Sequence, residues 1–229
     1  MITTITDLDG VWIDGNTSLS FAKFLENRGI MDGLTAKDLN DTLIAYKGGS
    51  ASYQQMARAF EDAYMDTLTG LNGEKFREAR EYFFEEDFDW PLFDYTEPLL
   101  GLLRNKGDVF GVTAGADELS ERLKQRLDME DVEGPTRMVL KNGIYQPVEN
   151  PEDMVGFKER KSEEIKQKNP GPCAGAGDSE HDKALMDLKY PLVFNPNEAM
   201  REEAEKNGWP IVTDSDDVVG RVEEELSRE

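Results

Sequence analysis

The architecture of this chain can be read outward from one segment near its start, Ile2-Thr3-Thr4-Ile5-Thr6-Asp7-Leu8-Asp9-Gly10. Its first five residues, Ile2–Thr6, are mostly β-branched, which predicts a short buried strand. Two aspartates, one residue apart, follow this strand at once. Alternate residues of an extended segment point to the same side, so the carboxylates of Asp7 and Asp9 can face one pocket. Such a pair suits a magnesium site, a nucleophile with an acid partner, or both.

The next segment, residues 15–90, has the periodicity of helices. Phe21, Phe24 and Leu25 fall on one helical face. Glycines at 48–49 and 70–73 interrupt the pattern. We expect about four helices, forming an all-helical unit inserted directly after the first motif.

Beyond Trp90-Pro91, strands and helices alternate. Strands are predicted at residues 109–112, 173–177, 192–194 and 211–212, and a hairpin at 137–147 that turns at Lys141-Asn142-Gly143. Helices are predicted at residues 97–105, 117–127, 162–168, 182–187, 198–206 and 216–227. This alternation predicts an α/β fold with a doubly wound, mostly parallel, Rossmann-like sheet. We therefore assign residues 1–14 and 91–229 to the core and residues 15–90 to the helical insertion.

The composition excludes several classes of function. The 229 residues include 48 acidic and 26 basic side chains, a formal net charge of −22. A chain this negative is not drawn to nucleic-acid phosphates. It has no run of about 18 apolar residues and no basic, apolar leader, so we expect no membrane span and a cytoplasmic location. A single cysteine, Cys173, and a single histidine, His181, exclude an internal disulfide and a multi-cysteine or imidazole-rich metal site.

The acidity has two interpretations. The acidic residues are spread along the chain rather than gathered in one tail. This distribution favours adaptation to a salty cytoplasm, a halophilic trait, because salt screens the self-repulsion of the surface. A surface for a cationic partner is the alternative, and the lysines that the chain retains argue against an extreme halophile.

Three further polar groups come at or just after predicted strand ends. Thr113 precedes a helix, where a hydroxyl and backbone N–H groups can hold a phosphate. A lysine near the start of a later helix, Lys158 or Lys161, would offset phosphate charge. Asp178 and Asp182 follow a small-residue strand, where Asp178 would meet a metal ion. Taken singly, each is more typical of a helix cap, a solvated side chain or a capping loop, but their common placement at strand ends indicates one site.

This order of motifs resembles that of a known superfamily. Asp-x-Asp-Gly, Thr, Lys and Gly-Asp-Ser-x-x-Asp, each beside a different strand, are similar to the four motifs of the haloacid dehalogenase-like (HAD) phosphohydrolases. The resemblance covers the chain from about Thr3 to Thr213. The segment from Asp7 to Thr17, the helical insertion, the Asn142-Gly143 hairpin and Phe194-Asn195-Pro196 resemble the subgroup that includes phosphoserine phosphatases, whose helical C1-type cap lies at this position.

The resemblance implies a role for each acidic motif residue. Asp7 would attack phosphorus and form an aspartyl-phosphate. Asp9 would protonate the leaving alcohol and then activate the water that hydrolyses the intermediate. Mg²⁺ would be held by the Asp7 carboxylate, the Asp9 backbone carbonyl and Asp178. Asp182 would hold the waters of the metal, or the lysine.

The resemblance also implies how the phosphoryl group is bound. The hydroxyl of Thr113 and the following backbone N–H, that of Ala114, would bind the phosphoryl oxygens. A lysine would neutralise charge on the nucleophile and the phosphate. Lys161 is favoured over Lys158, because Lys161-Ser162-Glu163-Glu164-Ile165-Lys166 is similar to the lysine that the family places at a helix start.

Two departures bear on the substrate. Val11 stands where threonine is common, which is a tolerated variation. Asn16 stands where phosphoserine phosphatases place a glutamate that binds the amino group of the substrate, which argues against serine phosphate itself.

We therefore expect a magnesium-dependent phosphatase that acts on a small phosphorylated metabolite, as a monomer or a homodimer. Phosphotransfer to an acceptor other than water would use the same residues and remains open. A non-catalytic binding protein on the same scaffold is the alternative from another class. A serine hydrolase built on Ser179 is excluded, because no histidine follows His181 to complete a triad.

Overall fold

The computed structural model describes residues 1–30, 33–48, 50–115, 117–149, 152, 154–214 and 216–228. The chain forms two compact units. One unit comprises Met1–Asn16, Trp90–Pro135 and Glu152–Glu229, and the other comprises Thr17–Asp89 and Thr136–Pro151.

Strands and helices alternate along the first unit, and the second unit is mainly helical. In chain order, the strands are β1 (Thr3–Thr6), β2 (Val109–Val112), β3 (Asp131–Glu133), β4 (Met138–Lys141), β5 (Ile144–Pro147), β6 (Cys173–Gly177), β7 (Tyr190–Phe194) and β8 (Ile211–Val212). The α-helices are α1 (Thr17–Asn27), α2 (Gly33–Lys47), α3 (Tyr53–Leu68), α4 (Gly73–Tyr82), α5 (Thr96–Lys106), α6 (Asp117–Leu127), α7 (Met154–Lys168), α8 (Lys183–Met186), α9 (Glu198–Asn207) and α10 (Val218–Leu226). A π-helical turn, Phe83–Asp87, follows α4, and a 3₁₀ turn, Glu180–Asp182, precedes α8.

The first unit is built on a six-stranded parallel sheet in the order β3-β2-β1-β6-β7-β8. The chain winds outward from β1 through β2 to β3, and later outward from β6 through β7 to β8. The winding direction therefore reverses between β1 and β6. Ligands of doubly wound sheets bind beyond the carboxyl ends of the strands at such a reversal. The predicted doubly wound, parallel α/β fold is confirmed.

Burial on both faces explains the composition of the two central strands. All four residues of β1 and all five residues of β6 are buried. In β6 the residues are small because helix α8 crosses close to the strand. A Cβ on Gly175 would lie 1.7 Å from the carbonyl oxygen of Leu185 in α8, so only glycine fits there.

The second unit is held together by aromatic side chains. Phe21 of α1 contacts Phe76 of α4 and Phe83 of the π-helical turn, with ring centroids 5.6 and 5.1 Å apart. Phe24 lies 5.3 Å from Phe83. The helical periodicity of the insertion therefore marks a packed core, which buries these rings together with helix α1.

The β4–β5 hairpin also belongs to this second unit. Tyr145 of β5 accepts a hydrogen bond from Gly70 N–H and donates one to the Leu71 carbonyl, both at 2.9 Å. Its ring lies 4.9 Å from that of Phe76. The sequence predicts that residues 91–229 belong to the core as one continuous segment. The structure instead groups residues 136–151 with the helices, because the hairpin pairs with the loop between α3 and α4.

One helix boundary differs in a way that matters for the site. The sequence predicted a helix from residue 162, whereas α7 begins at Met154 and runs to Lys168. Most other elements agree with the prediction within about two residues. Within the described ranges, no helix combines the length and the apolar character that crossing a bilayer requires.

Candidate active site

The motif residues lie where three neighbouring strands end. Asp7 directly follows β1, Thr113 follows β2 and Asp178 follows β6. The last residue of β1, Thr6, is in register with Gly111 of β2 and Ala176 of β6, so the three strands end side by side. The backbone N–H of Asp7 donates to the Ala176 carbonyl at 2.9 Å, which extends the β1–β6 ladder to the site.

A buried lysine joins two of the aspartates. The Lys158 Nζ lies 3.0 Å from Asp7 Oδ2 and 2.6 Å from Asp182 Oδ1. The side chains of Lys158 and Asp182 are 2% and 0% exposed, respectively. Because charges this deep are costly unless they are paired, the two ion pairs offset part of the cost of burying these three groups.

The structure corrects the choice between the two lysines. Lys161 forms ion pairs with Glu133 and Glu164 instead of with the aspartates. Burial lowers the pKa of Lys161, but the hydrogen bond and charge of Glu133 outweigh it and raise the pKa overall. Because α7 starts at Met154, Lys158 is already inside the helix and on its buried face, and Lys161 lies one turn further on.

Asp182 organises the loop that follows β6. Its Oδ2 accepts hydrogen bonds from the backbone N–H groups of Asp178 and Ser179, at 3.0 and 3.1 Å, and from the Ser179 hydroxyl at 3.1 Å. Its Oδ1 is occupied by Lys158. Both oxygens therefore have protein partners, and of the two predicted roles for Asp182 the geometry favours holding the lysine.

Three carboxylates come together at this point. Asp7, Asp178 and Asp182 each offer one oxygen, and these atoms all lie within 4.8 Å of one another. Three carboxylates against one ammonium leave an excess of negative charge, and carboxylate oxygens are the donors that Mg²⁺ prefers. The donor set therefore fits a magnesium ion, with Asp7 and Asp178 as the carboxylates best placed to hold it.

Gly10 makes room for Asp178. Its φ is +81°, in the left-handed region that favours glycine, and a Cβ would lie 2.2 Å from Asp178 Oδ2. Asp9 lies in the same loop, which is closed by a hydrogen bond of 2.8 Å from Gly10 N–H to the Ile13 carbonyl. The sequence Asp-x-Asp-Gly thus combines two carboxylates with the glycine that lets a third approach.

The electrostatics of the cluster favour protons or cations. Burial raises the pKa of Asp7 from 3.8 to about 7, although the Lys158 charge acts in the opposite direction. Burial also raises the pKa of Asp178 well above its usual value, and the charges of Asp182 and Asp7 raise it further. A bound divalent cation would reverse these shifts by stabilising the ionised carboxylates.

Thr113 is buried at the end of β2. Its hydroxyl accepts a hydrogen bond from Gly115 N–H at 2.9 Å, and its own N–H donates to the Glu133 carbonyl at 3.0 Å. Ala114, between Thr113 and Gly115, is partly exposed. This places the predicted phosphate-binding residues at a strand end, in the turn that leads into α6.

Sequence reasoning did not identify Tyr95 as a residue of this region. Its hydroxyl donates to the Val11 carbonyl at 2.7 Å and accepts from the Asn195 amide at 3.0 Å. Its ring stacks on Phe93 and Phe194 at 5.2 and 5.9 Å. Burial raises the pKa of Tyr95 above its usual value. No local motif announces such a contact, because its partners lie 84 and 100 residues away in sequence.

Comparison with known proteins agrees with the motif pattern. The family model described as haloacid dehalogenase-like hydrolase matches residues 4–187. A curated relative from Streptomyces azureus, called "Inhibition of morphological differentiation protein", is 23% identical over 215 residues, which cover 90% of this chain and 76% of that protein.

Solved structures show the same fold at low sequence identity. A protein of unknown function from Bordetella pertussis Tohama I matches with a TM-score of 0.72 and 18% identity, covering 93% of this chain and 98% of that one. A substrate-bound phosphoserine phosphatase matches with a TM-score of 0.67 and 14% identity, covering 97% of each chain. A phospho-aspartyl intermediate analogue of phosphoserine phosphatase matches with a TM-score of 0.65 and 16% identity, covering 97% and 98%. The resemblance to haloacid dehalogenase-like hydrolases is confirmed by the family model, and the solved structures confirm the fold.

Proposed function

This chain belongs to the haloacid dehalogenase-like hydrolase family, and on that basis we propose that it is a magnesium-dependent phosphatase. It hydrolyses a small phosphate monoester through an aspartyl-phosphate intermediate on Asp7. The observation that carries the proposal is the Asp7–Lys158–Asp182 arrangement, a carboxylate at a strand end held by one buried ammonium. The phospho-aspartyl intermediate analogue reported for a structurally similar phosphoserine phosphatase supports this chemistry.

In the first half-reaction, an oxygen of Asp7 attacks phosphorus and the bond from phosphorus to the ester oxygen breaks. Lys158 binds Asp7 Oδ2 at 3.0 Å, which leaves Oδ1 for the attack. The leaving alcohol takes a proton from Asp9. Thr113 and the N–H of Ala114 hold the other phosphoryl oxygens, where charge accumulates during in-line transfer.

In the second half-reaction, Asp9 accepts a proton from a water molecule, which attacks the phosphorus of the intermediate. The bond between phosphorus and Asp7 breaks, and inorganic phosphate leaves while the Asp7 carboxylate is regenerated. Each proton that Asp9 gives in the first step is thus recovered in the second. Lys158 forms an ion pair with the free Asp7 carboxylate, and in the intermediate it donates a hydrogen bond to the side-chain carbonyl oxygen of Asp7.

Asp7, Asp178 and the backbone carbonyl of Asp9 would hold the magnesium ion. When bound, the metal supplies charge neutralisation, which lets an anionic phosphate approach anionic Asp7. Asp182 keeps Lys158 and the Asp178 loop in position through its four hydrogen bonds.

The substrate in this proposal is a small phosphorylated metabolite other than serine phosphate. Asn16 lacks the negative charge with which phosphoserine phosphatases bind an amino group, so an uncharged or anionic alcohol portion fits better. We also propose a cytoplasmic location and an acidic surface adapted to high salt, since the net charge of −22 is spread along the chain.

The test is release of phosphate from 4-nitrophenyl phosphate and from a panel of metabolite phosphates, with Mg²⁺ or with EDTA. Asp7→Asn should abolish the magnesium-dependent turnover. The matched control is Asp108→Asn, an exposed aspartate that precedes β2 at the opposite end of the sheet. Activity that survives in Asp7→Asn would reject the nucleophile.

The same assay separates hydrolysis from phosphotransfer. Nitrophenol and inorganic phosphate are released in equal amounts by hydrolysis, whereas transfer to an added alcohol releases less phosphate than nitrophenol. No turnover of any ester in the panel would instead support a binding protein on this scaffold.

A further inference from the structure

The hydrogen bonds around the Tyr95 hydroxyl fix the direction in which its proton points. Asn195 Oδ1 accepts a hydrogen bond from Asp214 N–H at 2.9 Å, which fixes the side-chain amide so that Nδ2 faces Tyr95. Nδ2 then donates to the Tyr95 hydroxyl oxygen at 3.0 Å. Since a tyrosine hydroxyl has one proton, that proton points to its remaining partner, the Val11 carbonyl at 2.7 Å.

Val11 lies two residues after Asp9, in a loop whose backbone hydrogen bonds tie it together. The N–H groups of Val11, Trp12 and Ile13 all donate to the Leu8 carbonyl, at 3.3, 2.9 and 3.3 Å. Asp9 is enclosed between Leu8 and Val11, so a shift of Val11 is passed to Asp9. The hydrogen bond from Tyr95 therefore reaches the loop that holds Asp9, the proposed acid and base.

Attachment of the loop to the sheet core does not need this bond. The Trp12 carbonyl accepts from the Thr96 hydroxyl at 2.9 Å and from Phe93 N–H at 3.2 Å. These contacts hold the far end of the loop. The Tyr95 bond acts closer to Asp9, and it leaves a fully buried Val11 carbonyl unpaired if it is lost.

We propose that Tyr95 and Asn195 are positioning residues that together hold the Asp9 loop in its reactive place. Asn195 acts through Tyr95, by directing its proton, and Tyr95 acts on the loop through the Val11 carbonyl. This inference rests on the proposed function for the role of Asp9 in the reaction. Asn195 directly follows β7 and has a φ of +37°, in the left-handed region.

Two variants, one on each side of the hydrogen bond between Asn195 and Tyr95, test this proposal. Tyr95→Phe removes the hydroxyl without changing any charge. Asn195→Asp keeps the Tyr95 hydroxyl but replaces the donor Nδ2 with an acceptor, so that the tyrosine proton turns away from Val11 toward the new carboxylate. Both variants lose the bond to the Val11 carbonyl together with the bond from Asn195 Nδ2, but Asn195→Asp keeps the tyrosine hydroxyl in place. Tyr190→Phe, at the start of β7, is the control for removing a tyrosine hydroxyl.

Two readouts are needed for each variant. Steady-state kinetics on 4-nitrophenyl phosphate should show kcat lowered by about fivefold to tenfold in both variants, with KM unchanged in Tyr95→Phe. Hydrogen exchange of the backbone N–H groups of residues 10–13 should accelerate by about fivefold in both, while exchange in α9 stays as in the wild type. The double variant should lose no more activity than either single variant.

The outcomes separate the inference from the proposed function. Unchanged exchange at residues 10–13 in Tyr95→Phe overturns the inference, as does unchanged kcat in a variant whose exchange accelerates. If the losses of kcat in the two single variants add up in the double variant, Asn195 does not act through Tyr95, and that part of the proposal is overturned. An inactive wild type overturns the proposed function, and with it the role of Asp9 that the inference requires, even if exchange shows that Tyr95 holds the loop.

Discussion

Replacing Lys158 with methionine would remove the buried ammonium while keeping a side chain of similar length. Lys158 is 2% exposed and contacts Asp7 at 3.0 Å and Asp182 at 2.6 Å. Removing one partner of a buried ion pair costs about 3–5 kcal/mol, because the remaining charge is left without compensation. Asp182 keeps its other three hydrogen bonds, so we expect the lower end, a loss of about 3 kcal/mol in the free energy of unfolding.

Lys161→Met is the matched control, one helical turn away. Its partners Glu133 and Glu164 are 37% and 38% exposed, and pairs at such positions contribute less than about 1 kcal/mol. Urea denaturation in EDTA, followed by tryptophan fluorescence, measures both variants without contribution from bound metal. Turnover of 4-nitrophenyl phosphate with Mg²⁺ should fall by about 100-fold or more in Lys158→Met and stay within about threefold in Lys161→Met. Equal losses of stability and activity in the two variants would refute the assignment of Lys158.

Three other properties of the chain give predictions. In EDTA, raising the pH from about 5 to about 8 should lower the stability of the wild type relative to Asp7→Asn by on the order of 2–3 kcal/mol. Folding raises the pKa of the Asp7 carboxyl from 3.8 to about 7, so its deprotonation in this range favours the unfolded chain. Parallel stability curves from denaturation at each pH would contradict this. Gly10→Ala should displace Asp178 and lower turnover by about tenfold or more. The control, Gly101→Ala, should leave turnover unchanged, because a Cβ there meets nothing within 4 Å. Equal turnover in the two variants would contradict the close packing of Gly10 against Asp178. Raising KCl from about 0.1 M to about 1 M should raise the melting temperature by about 5 °C. The Debye length shortens from about 10 to about 3 Å, which screens the repulsion among the charges of a chain with net charge −22. A melting temperature that does not rise in a thermal scan would favour the interpretation that the acidic surface binds a cationic partner.

Five of the six strands of the sheet were predictable because they have strong local patterns, whereas β3, Asp131–Glu133, was not predicted. Val109–Val112 and Cys173–Gly177 are buried apolar or small-residue segments, and the structure has them with the predicted bounds. The order of the strands, β3-β2-β1-β6-β7-β8, was not predicted from these patterns and comes from the structure. The position of the site then follows from the reversal between β1 and β6, which places Asp7 and Asp178 side by side.

The lysine was harder to predict because the start of a helix is a weak local signal. The first turn of α7 contains no acidic residue that would mark the start of the helix. Glu163 and Glu164, shortly after Lys161, instead suggested a later start. The better signal was the buried stripe of Phe157, Lys158, Ser162 and Ile165. Lys158, Ser162 and Ile165 follow one another at spacings of four and three residues, and Phe157 directly precedes Lys158, so all four lie on one side of the helix.

Contacts between distant segments carried no local signal at all. The Tyr95 hydroxyl bonds and the docking of the hairpin on the loop after α3 both join segments that are far apart in sequence. The periodicity of residues 15–90 predicted a helical unit, but not that its surface would be completed by a hairpin. Such pairings depend on tertiary geometry that residue patterns along one segment do not encode.

The discontinuous make-up of the second unit has a consequence for biosynthesis. Residues 17–89 leave the ribosome first, but Tyr145, which packs against Phe76, follows only after residues 90–135 have been made. During that interval, the ring of Phe76 and the edge of the α3–α4 loop lack their partner strand. The helical unit therefore matures only after part of the sheet unit has been synthesised, and a fragment ending before residue 136 would carry an unfinished hydrophobic surface.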